Sequence, residues 1–286
     1  MNVLPVSVVI ASLGGEQLTI TVDSLINGKF IPNEIVISLP PGVSINPINS
    51  NNTSIKIINS PDKGQVKQRL FGYGHCSCEI VMQSDDDVYY HHLCLQYLYK
   101  QIILLGPGNV LGPIFYDLST GERVVKFKGG LRGFFKNLYD TFICMAPWGE
   151  KKMGAISKIG LAYGVDVSLI EDNKLYEVSW LPGGCSLSFK KDIITQDYYP
   201  FSGKAFGEDV LQSIKRSQLG QKMYIVPNCN ASISTPITQN LDAKSIRSNI
   251  RAHRFVLKRI NGNSLFFCAW ALIYEFILNK FKKYRA

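Results

Sequence analysis

The sequence predicts an α/β protein built on a Rossmann-like, mostly parallel sheet flanked by helices. Strand patterns and helix patterns alternate along roughly the first hundred residues, as they do when helices connect parallel strands. The strands are continuous β-branched runs rather than alternating polar and apolar residues. Such runs indicate a sheet whose two faces are both buried.

The first strand is predicted at 6–11 (VSVVIA). Leu18, Val22 and Leu25 follow at helical spacing, and the helix is expected to stop at Asn27-Gly28. A second strand is predicted at 34–39 (EIVISL), closed by prolines, so the chain begins with a strand, a helix and a strand. Ligands of such sheets bind at the carboxyl ends of the strands.

Further elements follow in the same alternation. We expect a strand at 55–58, a helix at 65–73, a strand at 79–83, a helix at 91–104 and a break at 106–112. After a weakly patterned region (114–178), the chain reads as a turn feeding a strand at 180–189, a loop entering a helix at 206–219, and a strand at 222–226. The weak region receives no assignment.

Composition indicates a globular protein. The chain has 286 residues, of which 46% are hydrophobic and only 19% charged, and this excludes a disordered or low-complexity class. The seven cysteines are scattered without a paired CxxC, which favours reduced thiols over a disulfide framework or a zinc site. The N-terminal segment lacks the pattern of a secretory leader, so we expect a cytoplasmic location.

The positive charge is concentrated at the C-terminus. Residues 1–243 contain 21 Lys and Arg against 21 Asp and Glu, whereas 244–286 contain 10 against one, which accounts for the whole formal charge of +9. A nucleic-acid-binding domain would carry basic residues across its recognition surface. The sequence therefore predicts no nucleic-acid partner.

Three consecutive aspartates, Asp85, Asp86 and Asp87, follow the strand at 79–83. Like charges repel unless a cation compensates them, and carboxylate oxygens suit Mg²⁺ or Mn²⁺. The alternative is a solvated acidic turn. His91 and His92 lie just beyond the triplet and could serve as metal ligands, although a helix cap or a surface role is commoner.

A second acidic pair, Glu208-Asp209, opens the helix predicted at 206–219. Acids at a helix N-terminus complement the helix dipole, which is one interpretation. The other is a carboxylate that acts as general base on an attacking hydroxyl.

The order of five segments resembles the family 2 glycosyltransferases, inverting enzymes of the GT-A fold. The segments, which lie between about residues 4 and 230, are VSVVIASLGG, PDKGQVKQRLFGYG, EIVMQSDDDV, WLPGGCSLSF and FGEDVLQSIKRSQLG. The combination carries the resemblance: Arg69 and Gly72 precede the Asp triplet, and Glu-Asp follows about 120 residues later. The family transfers a sugar from a nucleoside diphosphate.

The resemblance implies roles for individual residues. Ser12 would face the nucleotide, Arg69 would support binding of the base or the pyrophosphate, and Asp85 would lie toward the ribose. Asp87 would bind the metal, with Asp85 as its partner in the Asp-x-Asp pair, and Asp86 between them would also belong to the nucleotide-sugar site.

On the acceptor side, the resemblance makes Asp209 the catalytic base and gives Glu208 a role in positioning the acceptor or the base. Gly183 and Gly184 would let the backbone approach the sugar, or else form a tight turn. Trp180 would stack on an acceptor sugar, or else belong to the core.

Two departures from the family pattern bear on specificity. The second strand ends in Ser38-Leu39-Pro40, where family members commonly carry an Asp that recognises the base. A UDP-sugar donor is therefore expected from the family resemblance and not from this segment. The Gln-x-x-Arg-Trp motif of processive synthases is missing, which favours addition of a single sugar.

The C-terminal segment carries a basic helical stripe between 246 and 260, followed by an apolar run from Leu265 to Leu278. Fourteen helical residues extend roughly 21 Å, less than the roughly 30 Å of a bilayer core. With Lys280, Lys282, Lys283 and Arg285 beyond it, the run fits a helix on an anionic membrane surface. Alternatively, it packs against the body or a second subunit as a homodimer contact.

These observations predict a GT-A domain at 1–243, with a nucleotide-sugar-binding half (about 1–112) and an acceptor-binding half (113–243), and a helical membrane-associating extension at 244–286. The leading hypothesis is a metal-dependent inverting glycosyltransferase, peripheral on the inner face of a bacterial membrane. It would add one sugar to a saccharide acceptor, lipid-linked in surface-polysaccharide synthesis. The alternatives are a nucleotidyltransferase that makes sugar nucleotides and a noncatalytic adaptor that uses the basic tail.

Overall fold

The computed structural model describes residues 2–170, 174–201, 205–234 and 243–283, with side chains of the last segment described from 246 to 275. The chain divides into two compact units. The first unit comprises Met1–Val125 and Val167–Thr235, and the second comprises Lys126–Asp166 and Pro236–Ala286. From the sequence we predicted a single boundary near residue 243. The structure instead groups residues 126–166 with the C-terminal segment.

The first unit is built on a single sheet, and the predicted α/β class is confirmed. In the described residues the sheet has nine strands: β1 (Asn2–Ala11), β2 (Phe30–Leu39), β3 (Ser54–Asn59), β4 (Ile80–Ser84), β5 (Val88–Tyr90), β6 (Asn109–Asp117), β7 (Tyr176–Val178), β8 (Cys185–Phe189) and β9 (Lys222–Ile233). Their order is β3-β2-β1-β4-β8-β6-β9-β5, with β7 paired to β9. The block β3-β2-β1-β4 is parallel, and β8 joins it antiparallel to β4.

Helices of the first unit cover both faces of this sheet; the first unit contains α1 (Gln17–Ile26), α2 (Gln65–Tyr73), α3 (Cys94–Leu105) and α5 (Glu208–Gln218). The second unit contains α4 (Gly130–Phe142), α6 (Ala243–Arg259) and α7 (Ser264–Lys283). On one face Val8 and Ile10 pack with apolar residues of α1 and α3, whereas Val9 packs on the other face with Tyr73 of α2. This double burial explains the continuous apolar runs of the strands.

The break predicted at 106–112 is partly wrong, because β6 begins at Asn109. Gly106 and Gly108 have positive φ angles of 75° and 81°, so the turn is confined to the first residues of that stretch. Pro113 lies inside β6, where the pairing with β9 changes register between Gly112 and Ile114. A strand tolerates proline at such an irregularity.

The second unit contains α4, a 3₁₀ turn at Gly149–Lys152, α6 and α7. Its core joins Cys144 and Ile159 to Leu257 of α6 and to Phe267 and Trp270 of α7. Part of the C-terminal apolar run is thus used for packing within its own unit, one of the two alternatives that the sequence left open. The side chains of Lys280, Lys282 and Lys283, and residue Arg285, lie outside the described residues. None of the described helices combines the length and apolar character that a membrane span requires.

Two leucines of α3 test the core assignment. Leu98 is fully buried, whereas Leu104 on the same helix is 78% exposed. We expect Leu98→Ala to lower the free energy of unfolding by about 2–5 kcal/mol, because it removes buried methyl groups and leaves a cavity. Leu104→Ala is the matched control and should stay within about 0.5 kcal/mol of the parent. Urea unfolding followed by circular dichroism measures both, and equal losses would contradict the fold.

Candidate active site

The sheet register brings three of the predicted site segments together in the first unit. Ile10 of β1 pairs with Ser84 of β4, and Ser84 pairs with Cys185 of β8. The strand ends that follow therefore meet: the Asp85 amide donates to the Gly184 carbonyl at 3.0 Å, and the Ser12 hydroxyl donates to Asp86 Oδ2 at 2.5 Å. The site lies at the carboxyl ends of β1 and β4, as predicted for this class of sheet.

A buried guanidinium links the aspartate triplet to the second acidic pair. Arg69 of α2 is 1% exposed, and its Nη1 donates to Glu208 Oε1 at 2.6 Å. Its Nη2 donates to Asp85 Oδ1 and, at 3.4 Å, to the Gly183 carbonyl. Burial opposes the charged form, but the Glu208 and Asp85 carboxylates outweigh it and raise the pKa of Arg69 well above its usual value.

The Glu-Asp pair opens α5. Gly207, in the left-handed conformation with φ of 64°, turns the chain into the helix. Glu208 is buried and receives a second hydrogen bond, from the Tyr198 hydroxyl to Oε2 at 2.9 Å. Asp209 accepts from the Val210 amide at 2.9 Å through Oδ1. Glu208 is thus fixed at both oxygens, and the neighbouring Asp209 belongs to the same cluster.

Gly183 is held at close quarters with this pair. A Cβ built on it would lie 2.7 Å from Glu208 Oε1 and 3.3 Å from Asp209 Cβ. Its carbonyl accepts from Arg69 and, at 2.9 Å, from Gln83 Nε2. Glycine is required here because the Cβ of any other residue would displace the Glu208 carboxylate. A Cβ on Gly184 would meet the ring of Phe115 at 3.2 Å.

Two carboxyl groups of the cluster have raised pKa values. Burial raises the pKa of Asp85 to about 6, with Arg69 opposing the rise and Glu208 adding to it. Burial and the nearby Glu208 raise the pKa of Asp209 to about 7, against the hydrogen bond from the Val210 amide. Desolvation penalises a charged carboxylate, and neighbouring carboxylates add to the penalty. A carboxyl group with a pKa near 7 is suited to accept a proton at neutral pH.

The other residues singled out from the sequence include Asp86, Asp87, Trp180 and His91. Asp86 and Asp87 are half-buried, and Trp180 is half-buried three residues before Gly183. His91 forms a hydrogen bond with the Ser232 hydroxyl at 3.1 Å. The roles assigned to Trp180, Gly184 and Asp87 stay predictions.

The carboxylates fit a hard divalent cation by their chemistry. In the described parts of the chain, no group of three or more His, Cys, Asp or Glu side chains is arranged to hold a metal. Magnesium-type sites often need only one or two carboxylates, since substrate phosphates complete the shell. Asp85 Oδ1 accepts from Arg69 and, at 2.7 Å, from Gln65 Nε2, so this oxygen is already part of the polar cluster.

A cavity of about 310 Å³ opens beside the cluster, within the first unit. It lies between the start of α2 and the segment before α5, and Gln65 and Tyr199 line it. Gln65 joins this cavity to Asp85 through its amide. A second cavity of about 240 Å³ lies against α1 and is lined in part by Tyr89 and His92.

Comparison with solved structures identifies the fold. The chain superimposes on GalNAc-T7, solved with UDP, GalNAc and Mn²⁺, with a TM-score of 0.56 and 16% identity over 87% of this chain. It superimposes on TarS 1–349 of S. aureus in complex with UDP-GlcNAc with a TM-score of 0.53 and 13% identity over 91% of this chain. The chain has the GT-A fold.

The match is partial in length and remote in sequence. The chain spans about half of the GalNAc-T7 chain (48%) and 68% of the TarS chain. No family model and no curated protein sequence matches it. At these identities the GT-A fold itself is what the comparisons establish.

Inside the GT-A fold, several polar residues that support the cluster were missed from sequence. Gln83 accepts from the Tyr73 hydroxyl at 2.8 Å and from Gln212 Nε2 at 2.7 Å, and it donates to Gly183. Gln68 donates to the Ser12 and Ser38 carbonyls, which fixes the ends of β1 and β2. Gln83, at the end of the apolar strand predicted at 79–83, could have indicated this network, since a buried polar group requires hydrogen-bond partners.

The ion pairs of Arg69 give a testable stability pattern. Arg69→Gln leaves Glu208 and Asp85 buried without their cation, so we expect the free energy of unfolding at pH 8 to fall by about 3–5 kcal/mol. The loss should be smaller at pH 5, because Asp85, with a pKa raised to about 6, is then largely protonated and depends less on the cation. Urea denaturation at the two pH values measures the difference.

The double variant Arg69→Gln/Glu208→Gln serves as the control for charge. Because it removes one buried carboxylate together with the guanidinium, we expect it to recover part of the stability lost by Arg69→Gln. If the stability lost in the double variant equals the sum of the losses in Arg69→Gln and Glu208→Gln alone, the two residues do not interact.

Proposed function

We propose that this chain is a metal-dependent inverting glycosyltransferase that moves one sugar from a nucleoside diphosphate to an acceptor hydroxyl. The observation that carries the proposal is Asp209, a carboxyl group with a pKa raised to about 7 within the cluster of Glu208, Arg69 and Asp85. The GT-A fold, shared with GalNAc-T7 and TarS, supports the same conclusion.

In this proposal Asp209 takes the proton from the acceptor hydroxyl as that oxygen attacks the anomeric carbon. The attack comes from the face opposite the leaving diphosphate, so the configuration at that carbon inverts. Glu208 lies beside this base, and Arg69 and Tyr198 hold both of its oxygens in place. Its negative charge keeps the pKa of Asp209 raised and so tunes the base.

On the donor side, Ser12 and the Asp triplet surround the nucleotide and the diphosphate, with Asp87 and Asp85 as the residues that would hold Mn²⁺ or Mg²⁺. A bound divalent ion supplies charge neutralisation for the departing nucleoside diphosphate. UDP is the nucleotide that we propose, since GalNAc-T7 was solved with UDP and Mn²⁺ and TarS with UDP-GlcNAc. Arg69 positions Asp85 for this task.

For the acceptor we propose a saccharide, lipid-linked in bacterial surface-polysaccharide synthesis, with the enzyme working on the cytoplasmic face of the membrane. The resemblance to family 2 enzymes and the basic C-terminal segment support this assignment. The 310 Å³ cavity beside Gln65 and Tyr199 is large enough for part of a sugar chain.

A thermal-shift screen tests the donor and the metal together. We expect a UDP-sugar with Mn²⁺ to raise the melting temperature by several degrees, because a ligand that binds only the folded state stabilises it. Asp87→Asn should abolish the part of the shift that depends on Mn²⁺. Exposed Asp62→Asn is the matched control and should respond like the parent. The proposal fails if no nucleoside diphosphate sugar gives a metal-dependent shift.

The pH dependence tests Asp209. The base is active when deprotonated, so turnover should fall about tenfold per pH unit below a midpoint near pH 7. Asp209→Asn should reduce turnover by about 10³-fold or more while the donor-induced thermal shift remains. Initial rates between pH 5 and 9 check the profile, and Asp62→Asn should leave it unchanged. A midpoint near pH 4 in the parent would argue against Asp209.

The same variant has a predicted effect on stability. Because folding raises the Asp209 pKa from 3.8 to about 7, the wild-type chain loses folding free energy as pH rises through this interval. Asp209→Asn carries no such titration. Its melting temperature relative to the parent should therefore increase between pH 5 and pH 8, while turnover is lost at both.

A further inference from the structure

Helix α4 in the second unit exposes its apolar face. Four large apolar side chains on it are between 49% and 73% exposed: Leu131, Phe134, Phe135 and Phe142. Their spacing of three, one and seven residues places them on one side of a helix with 3.6 residues per turn. Apolar side chains grouped on one helix face are normally covered.

The opposite face of α4 is polar and buried. Asp140 is 1% exposed and accepts from Lys152 Nζ at 2.6 Å, from the Tyr163 hydroxyl at 3.2 Å, and from Lys136. Lys152 also donates to Asn137 Oδ1 at 2.6 Å. Rotating α4 to bury its phenylalanines would turn Asp140 outward and leave the buried Lys152 ammonium without its carboxylate. The buried polar anchor therefore fixes the helix with its apolar face outward.

An exposed tryptophan extends this face. Trp148 packs edge-on against Phe134, with ring centroids 6.1 Å apart, and Phe134 packs in the same way against Phe135 at 5.9 Å. We call Leu131, Phe134, Phe135, Phe142 and Trp148 the α4 face. Aromatic rings, tryptophan above all, are the apolar groups enriched at the boundary between lipid and water.

The surroundings of the α4 face are basic. Exposed Lys126, Lys128, Arg132 and Lys151 lie on or next to the helix in sequence. By sequence, the second unit has 17 Lys and Arg against 5 Asp and Glu, a formal charge of +12, whereas the first unit has 14 against 17, or −3. This positive charge around an apolar helix face is complementary to an anionic lipid surface.

We propose that the α4 face docks on the surface of an anionic lipid bilayer, with the helix lying in the plane of the interface. Apolar rings enter the headgroup boundary while the lysines and Arg132 contact acidic headgroups. The inference is independent of the sugar-transfer reaction. It also adds a membrane contact on α4, a segment that received no assignment from sequence, whereas in the C-terminal run Phe267 and Trp270 are buried and Leu265 and Leu272 are exposed.

Cosedimentation with vesicles tests the proposal on the full chain, without any nucleotide sugar. We expect the parent to pellet with phosphatidylcholine vesicles that contain phosphatidylglycerol and to bind pure phosphatidylcholine at least tenfold more weakly. Phe134→Ser/Phe135→Ser should reduce the partition coefficient on the anionic vesicles by about tenfold or more, because two rings no longer leave water. Lys128→Glu/Arg132→Glu should reduce it as well and flatten its salt dependence.

The matched control is Ile103→Ser/Leu104→Ser, a pair of exposed apolar residues on α3 in the first unit, which should partition like the parent. Melting temperatures check that each variant is folded, and Trp148→Ser replaces the double variant if that one is not. Unchanged binding by the α4 variants overturns the proposal, as does a failure of the parent to bind anionic vesicles. A concentration-dependent dimer that Phe134→Ser/Phe135→Ser dissociates would also overturn it, since a second copy would then be the occupant.

Discussion

The buried guanidinium of Arg69 is the interaction on which the candidate site depends. It holds Asp85, at the end of β4, and Glu208, at the start of α5, although the two carboxylates come from segments 123 residues apart. Without the guanidinium, both carboxylates would lose the cation that compensates their charge, and breaking a buried ion pair in this way is strongly destabilising. Arg69 thus joins the Asp triplet to the Glu208-Asp209 pair, and its own position on α2 depends on the packing of that helix against Val9 and Val36.

The charge balance at Arg69 explains why two neighbouring carboxyl groups behave differently. Glu208 receives two donors, from Arg69 and Tyr198, which hold both of its oxygens. Asp209 is the next residue and accepts backbone hydrogen bonds instead, so burial and the charge of Glu208 raise its pKa to about 7. A pair of acids with unlike environments is a common way to obtain a base that works near neutral pH.

The strands and helices of the first half of the chain could be predicted from sequence, whereas several elements of the second half could not. Strands such as 6–11 were recognisable because their two faces are both buried, and α2 was predicted at its observed bounds, Gln65–Tyr73. The start of β6 was not predicted because glycines and prolines precede it. Helix α4 was not predicted because its apolar side chains are exposed and a polar residue, Asp140, is buried. Asp85 and Glu208 could be named from their motifs, but their common partner could not, since no local pattern encodes an ion pair across 139 residues, as in Arg69–Glu208.

The way in which Arg69 is engaged also bears on how a diphosphate could be bound. A nucleoside diphosphate brings negative charge to a unit whose formal charge is already −3 and whose strand ends carry three aspartates. Arg69 is 1% exposed and both of its Nη groups donate to protein oxygens, so its charge is largely neutralised before any substrate arrives. In the proposed reaction the diphosphate would therefore need a cation that is not yet compensated, and a divalent ion held by the Asp triplet would meet that need better than the guanidinium does. The electrostatics of the site thus support the proposed metal dependence without requiring Arg69 to bind the diphosphate.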